Sequence, residues 1–184
     1  MANTTDYVMT PKFRARWVHV FDKVENQRGD LQHEITMIFP ADADLSAMKK
    51  IVREAAAMKW GTNLPEDLNT PFRKGSEKAD KYEEFEGSIF CKANTQHDIV
   101  VVDQNTDPIN DGVYDGCYAR CKVCASAYDV NGNKGVKFYL GNVQKMADGE
   151  KLRSGASAGD DFTVVEGATP KTSVADEEDD FFNV

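Results

Sequence analysis

The sequence contains no long apolar run. None of its 184 residues lies in a stretch close to the roughly 18 apolar residues that a transmembrane helix needs. Its opening residues, MANTTDY, also lack the basic and then apolar layout of a signal peptide. We therefore expect a cytoplasmic protein that has no membrane partner.

Cysteine and histidine are scarce. The four cysteines are Cys91, Cys117, Cys121 and Cys124, and the three histidines are scattered along the chain. Cys121 and Cys124 have a spacing found in zinc sites, but the alternating pattern around them is typical of a strand and places them on opposite faces. No second paired set of ligands follows. We expect reduced, buried thiols, with no metal ion and no other cofactor.

Catalytic motifs are missing as well. The sequence has neither a nucleophile elbow nor a His-Glu helix motif. Asp98 and Asp103 flank an apolar run and could hold a divalent ion, so a metal-dependent nuclease or recombination factor is an alternative function. A protein-binding adaptor is a third. Acids at strand ends are more often simply solvated, and we expect a binding protein rather than an enzyme.

The negative charge is concentrated at one end of the chain. Of the net charge of −9, residues 160–184 contribute −7, from eight acids and one lysine, which leaves residues 1–159 nearly balanced at −2. From residue 154 the chain is first small and polar and then acidic. We predict one folded domain over residues 1–153 and a flexible, disordered acidic tail over residues 154–184.

Alternating apolar and polar residues predict a mainly β fold. Hairpin turns are expected at residues 27–30 and 131–133. The predicted strands cover residues 12–22, 31–39, 85–92, 97–103, 115–128 and 134–143. Five or more strands with one helix predict a barrel.

One helix is predicted between the second and third strands. Asp42 and Asp44 can cap its start, apolar residues from Leu45 to Met58 have helical spacing, and Gly61 follows its last turn. Residues 61–84 contain prolines, glycines and many charges without a sustained period. They predict a long surface loop.

Aromatic and basic residues are interleaved in the predicted strands and in the long loop. Proteins that bind single-stranded nucleic acid without sequence preference need rings that stack on bases and cations that follow the phosphates. For each aromatic residue alone, packing in the core is at least an equal alternative. The candidate DNA-binding residues are Arg14, Arg16, Trp17, Phe72, Arg73, Lys74, Lys78, Tyr82, Tyr118, Arg120, Lys122, Lys134, Lys137 and Tyr139.

The C-terminus combines an acidic run with two aromatic residues. A block of like charge can imitate the nucleic-acid backbone and occupy the protein's own basic groove, while the aromatic tip docks on a partner protein. The sequence therefore predicts a tail that competes with DNA and recruits partners. The residues concerned are Asp176, Glu177, Glu178, Asp179, Asp180, Phe181 and Phe182.

Three segments of the domain carry a further signal, namely DGCYARCKV at 115–123, AYDVNGNKGV at 127–136 and LGNVQKMADGE at 140–150. Together with residues 13–40, 71–75 and 160–162, they resemble a bacteriophage single-stranded DNA-binding protein family. The resemblance implies an OB-fold barrel that binds and protects single-stranded DNA without catalysis during phage replication, recombination and repair. It also implies that replication or recombination proteins meet the tail in the cytoplasm of an infected bacterial host. Homo-oligomer formation is left open.

Overall fold

The computed structural model describes residues 3–153, and the predicted tail over residues 154–184 lies outside the described residues. Within them, two short 3₁₀ helices cover Gly75–Glu77 and Glu83–Phe85. The regular elements in chain order are β1 Val8–Met9, β2 Phe13–Glu25, β3 Leu31–Pro40, α1 Ser46–Trp60, β4 Arg73–Lys74, β5 Ser88–Thr95, β6 Val101–Val102, β7 Tyr118–Val130 and β8 Asn133–Ala147.

Five of the strands close into a barrel. Strand β2 pairs antiparallel with β3, β3 with β5, β8 with β7, and β7 with β2, while β5 and β8 pair in parallel. This ring is the five-stranded OB-fold barrel that was predicted, and the mainly β class is confirmed. The short strands β1, β4 and β6 extend the sheet along β7, β5 and β8 respectively.

The barrel interior is filled by every second residue of its strands. Ala119, Cys121 and Val123 of β7 point inward and are almost completely buried, as are the alternate residues of β3 and β5. This alternation follows from the period of two in an extended chain. The Cys121 Sγ lies 3.6 Å from the Met37 Sδ inside the barrel, whereas Cys124 faces outward on the same strand and is buried as well.

Helix α1 packs against the same core. Its buried face consists of Met48, Ile51, Val52, Ala55 and Ala56, whose spacing matches 3.6 residues per turn. The structure corrects one expectation, because Met58 is 50% exposed. Within residues 3–153, no helix is long and apolar enough to span a membrane.

The N-cap residue of α1 is Leu45, which makes no side-chain cap hydrogen bond, so neither Asp42 nor Asp44 is the N-cap, whereas Gly61 ends the helix as predicted. Asp44, one residue before the N-cap, accepts hydrogen bonds from the backbone N–H and the hydroxyl of Ser46, at 3.0 and 2.6 Å, and so satisfies the first N–H of the helix. Gly61 adopts a φ of +60°, and its N–H donates to the Ala57 carbonyl. Glycine reaches this conformation without the strain caused by a Cβ atom.

Two predicted segments differ from the structure. Of residues 97–103, only Val101–Val102 pairs as a strand, because the backbone N–H of Val100 donates to the side chain of Asn142 in β8 rather than to a backbone carbonyl. The long loop after α1 also carries strand β4 and returns to the barrel, where Phe85 is completely buried. The loop is therefore partly a second layer over the barrel wall.

Candidate nucleic-acid interface

A groove runs along the outer face of β5 and β8. The alternation of each strand points Lys92 and Asn94 of β5 and Lys137 and Tyr139 of β8 away from the core, and the parallel register places Asn94 beside Tyr139. Two adjoining clefts of about 540 and 1130 Å³ form the groove. Residues that line both clefts are Lys92, Asn94, Tyr128, Asn133 and Lys137.

Lys137 and Tyr139 give the groove its chemistry. The Lys137 Nζ lies 4.5 Å from the centre of the Tyr139 ring, so a cation and a π surface occupy the same place on the groove floor. Nearby, the Lys92 Nζ contacts the Glu34 carboxylate at 2.8 Å. A ring for a base next to cations for a phosphate is the arrangement that binding of single-stranded nucleic acid needs.

Both ends of the groove carry further basic residues. Arg73 of β4 is exposed beside Phe90 and forms a 3.8 Å ion pair with Glu77. At the other end, Arg28 in the β2–β3 turn and His97 after β5 line the larger cleft. Of these residues, only Arg73 was predicted.

Several groove residues were not predicted from the sequence, among them Arg28, Lys92, Asn94 and Tyr128. The predicted third strand ended at residue 92, although strand β5 continues to Thr95. Extending the alternation by three residues would have placed Lys92 and Asn94 on one face. Arg28 lies in one predicted hairpin turn and Tyr128 lies shortly before the other. Their closeness to these turns was the feature of the sequence that could have identified them.

A cluster of aromatic rings adjoins the groove through Phe90. The Trp17 ring stacks on Phe85 at 5.5 Å and meets Tyr82 edge-on at 5.3 Å, while the Lys78 Nζ lies 5.1 Å from the Trp17 ring centre. Trp17 has a φ of +46° at an irregularity in the β2–β3 pairing. The structure therefore brings Trp17, Lys78 and Tyr82 together, and their contact with DNA stays a prediction.

The structure corrects the prediction for Arg16. Its side chain is 1% exposed, its Nε lies 2.8 Å from the Glu84 carboxylate, and its Nη1 lies 2.9 Å from the Asp115 carboxylate. Asp115 also accepts the backbone N–H of Val18 at 2.9 Å. A guanidinium enclosed in this way does not reach a phosphate. Arg16 instead links the long loop and the segment before β7 to strand β2.

Phe72 is partly buried beside the barrel core. Its ring packs edge-on against Phe138 of the barrel core at 5.6 Å. It is therefore a core contact of the long loop.

The remaining predicted residues are on two other surfaces. Lys74 is exposed in β4, and Lys134 is half-buried at the start of β8. Arg14, Tyr118, Arg120 and Lys122 lie on the outer side of β2 and β7, away from the floor formed by Lys137 and Tyr139. Apart from the enclosed Arg16 and from Phe72, the predicted set is thus divided among the groove, the aromatic cluster, β4 and this outer face.

The acids considered for a metal site are engaged in other contacts. Asp98 is exposed and accepts a 2.8 Å hydrogen bond from Lys23, which lowers the pKa of its carboxyl below the usual value. Asp103 accepts the backbone N–H groups of Asn105 and Asp107 and so closes a turn. Among residues 3–153, no three His, Cys, Asp or Glu side chains are grouped as metal ligands.

Comparison with known proteins decides the family. A family model described as "Enterobacter phage Enc34, ssDNA-binding protein" matches residues 6–182. The chain belongs to this family. The membership confirms the predicted resemblance, and it confirms a binding protein rather than an enzyme. A comparison with curated protein sequences finds no match.

Solved structures of phage single-stranded DNA-binding proteins have a similar fold. The bacteriophage Enc34 protein with a C-terminal truncation is 18% identical, with a TM-score of 0.67 over 79% of this chain and 88% of that one. The Enc34 protein in complex with single-stranded DNA is 17% identical, with a TM-score of 0.66 over 80% and 89%. The gp2.5 protein of bacteriophage T7 is 13% identical, with a TM-score of 0.60 over 82% and 99%. At these identities the similarity shows the fold.

Proposed function

We propose that this chain binds and protects single-stranded DNA, largely without sequence preference, in the groove on the outer face of β5 and β8. The observation that carries the proposal is the pairing of Lys137 with the Tyr139 ring on the floor of that groove. Membership in the Enc34 family supports it, as does the similar fold of the Enc34 protein in complex with single-stranded DNA.

The groove suggests how a strand would be held. Bases stack on Tyr139 and on Tyr128, which lines the same cleft, each stack contributing about 1–3 kcal/mol. Lys137, Lys92 and Arg73 follow the phosphates, and each contact releases condensed counterions. Because the rings accept any base and the cations contact only the backbone, the binding tolerates any sequence.

The test is fluorescence anisotropy of labelled oligo-dT and of a matched duplex, at low and at high salt. The parent chain is expected to prefer the single strand and to lose affinity as salt rises. Tyr139→Leu removes the stacking surface and keeps apolar bulk, and it should weaken binding roughly 5- to 150-fold, which corresponds to about 1–3 kcal/mol. Lys49→Gln, on the exposed side of α1, is the control and should bind like the parent. Equal affinity of Tyr139→Leu and the parent contradicts the groove assignment.

A second part of the proposal concerns the acidic tail and the cellular location of the protein. We infer that the acidic tail competes with DNA for the groove and recruits replication or recombination proteins, in the cytoplasm of an infected bacterial host. The acidic run from Asp176 to Asp180 and the adjacent Phe181 and Phe182 support this. Deletion of residues 173–184 should raise the affinity for oligo-dT, most clearly at low salt. Unchanged affinity contradicts the competition and leaves DNA binding by the groove intact.

A further inference from the structure

We infer that the outer face of β7 is a second single-stranded DNA track, which continues from Tyr139 to Tyr118 and holds the strand that leaves the groove. The inference rests on the proposed function, because the groove must first hold DNA. We call this surface the β7 track; it consists of Tyr7, Lys12, Tyr118, Arg120 and Lys122.

The strand register makes the β7 track continuous with the groove. On β7, Ala119 and Cys121 point into the core, so the neighbouring Arg120 and Lys122 point outward. Cys124 lies opposite Tyr139 on β8, and Tyr118 is six positions farther along β7. At about 3.3 Å per residue, the track extends the groove by roughly 20 Å.

Tyr7 fills the junction between the groove and the track. Its ring lies against Gly141, where a Cβ atom would be only 2.9 Å from the ring. Because Gly141 has no side chain, the Tyr7 ring can pack against its backbone. In this position Tyr7 lines the groove and remains 53% exposed. An exposed ring at this position is suited to stack on a base that passes from Tyr139 towards Lys122.

Rings and cations follow one another along the track. Beyond Tyr7 come the exposed Lys122 and then Arg120, whose Nε donates to Gln144 at 2.8 Å. At the far end the Lys12 Nζ lies 5.4 Å from the Tyr118 ring centre. The contacts repeat the combination of a ring and a cation that Lys137 and Tyr139 form in the groove.

The charges of the track are better placed for phosphates than those of the groove. In the groove, Lys92 and Arg73 are partly neutralised by Glu34 and Glu77. Across residues 3–153, Lys12, Arg120 and Lys122 have no carboxylate within ion-pair distance. The neutral Gln144 holds the Arg120 guanidinium in position instead. A stripe of uncompensated positive charge on an acidic chain favours a polyanion.

The test compares a short and a long DNA strand. Oligo-dT of about 6 nucleotides fits the groove alone, whereas about 16 nucleotides, near the upper site size of one OB domain, reaches the track as well. The variant combines Lys12→Gln with Lys122→Gln, two exposed residues. The control combines Lys49→Gln with Arg53→Gln on α1, which changes the net charge equally.

The variant should bind the short strand like the parent and the long strand more weakly. Loss of two phosphate contacts reduces the salt slope by about 1.4, so the parent should lose about sevenfold more affinity than the variant for the long strand between about 50 and 200 mM salt. The control should match the parent on both lengths.

Other outcomes overturn the inference in distinct ways. Equal losses of affinity for the short and the long strand mean that the two lysines influence DNA in the groove through long-range electrostatics and do not contact a longer strand. No loss on either length means that DNA does not use the track. In the parent, deletion of residues 173–184 is expected to raise the affinity for DNA. If the variant binds both oligonucleotides like the parent but its affinity does not rise on this deletion, the track holds the acidic tail rather than DNA. If the parent binds neither oligonucleotide, the proposed function itself fails.

Discussion

Replacing Arg16 by methionine should destabilise the domain strongly while the protein still folds. The Arg16 side chain is 1% exposed, and it lies between Glu84, which is 7% exposed, and Asp115, which is 23% exposed. Methionine leaves both carboxylates without their counter-charge. Removing one partner of a buried ion pair costs about 3–5 kcal/mol. Because Asp115 keeps some contact with water, we expect about 3–4 kcal/mol, within the roughly 5–15 kcal/mol by which domains are stable.

Urea unfolding followed by tryptophan fluorescence measures the change, since Trp17 adjoins the Arg16 guanidinium at 5.2 Å. At about 2–4 °C per kcal/mol, the melting temperature should fall by roughly 6–16 °C. Adding Glu84→Gln to Arg16→Met should recover part of the loss, because the more deeply buried unpaired charge is then removed. A loss of stability below about 1 kcal/mol together with weaker DNA binding would refute the reasoning and restore a phosphate contact for Arg16.

Four further predictions concern separate parts of the domain. Burial raises the pKa of Cys121 to about 12 and that of Cys91 well above its usual value. At pH 8 both thiols therefore stay protonated and should react with DTNB only after unfolding. Rapid reaction of these two thiols in the native protein contradicts this prediction. Gly75→Ala should cost more than about 2 kcal/mol in a denaturant titration, because the new Cβ would lie 1.8 Å from the Phe85 carbonyl oxygen. Phe72→Leu should lower stability by about 1–2 kcal/mol and leave the oligo-dT affinity of the folded protein unchanged, whereas the reverse pattern would make Phe72 a stacking residue. Single-stranded DNA should remain intact on incubation with the protein and Mg²⁺ or Mn²⁺, as followed on a denaturing gel.

Local patterns were sufficient to predict the barrel. Alternation specified β2, β3, β7 and β8, and helical spacing with Gly61 specified α1, because these signals come from neighbours in sequence. Strand β6 lies within the strand predicted over residues 97–103, but its short length could not be predicted in the same way. Its residues Val101–Val102 pair with Val143 and Gln144, which are about 40 positions away, and an Asn142 side chain satisfies the backbone before it.

The candidate site was less accessible from sequence for a similar reason. Alternation correctly pointed Arg16 away from the core, but it could not show that the segment containing Glu84 and Phe85 returns to cover it. Phe72 is partly buried by its contact with Phe138, which alternation could not show either. In contrast, Lys137 and Tyr139 lie on an uncovered strand face, where alternation alone placed them correctly in relation to each other.

The pairing of the N-terminal segment with β7 has a consequence for synthesis on the ribosome. The Thr5 N–H donates to the Ala125 carbonyl at 3.0 Å, and the Ala125 N–H donates to the Thr5 hydroxyl, across a separation of 120 residues. At about 5–20 residues per second, Thr5 leaves the peptidyl-transferase centre roughly 6–24 s before Ala125 is made. The β2–β3 hairpin can form during that interval from residues close in sequence. The first residues of the domain therefore join the sheet among the last, when β7 reaches them.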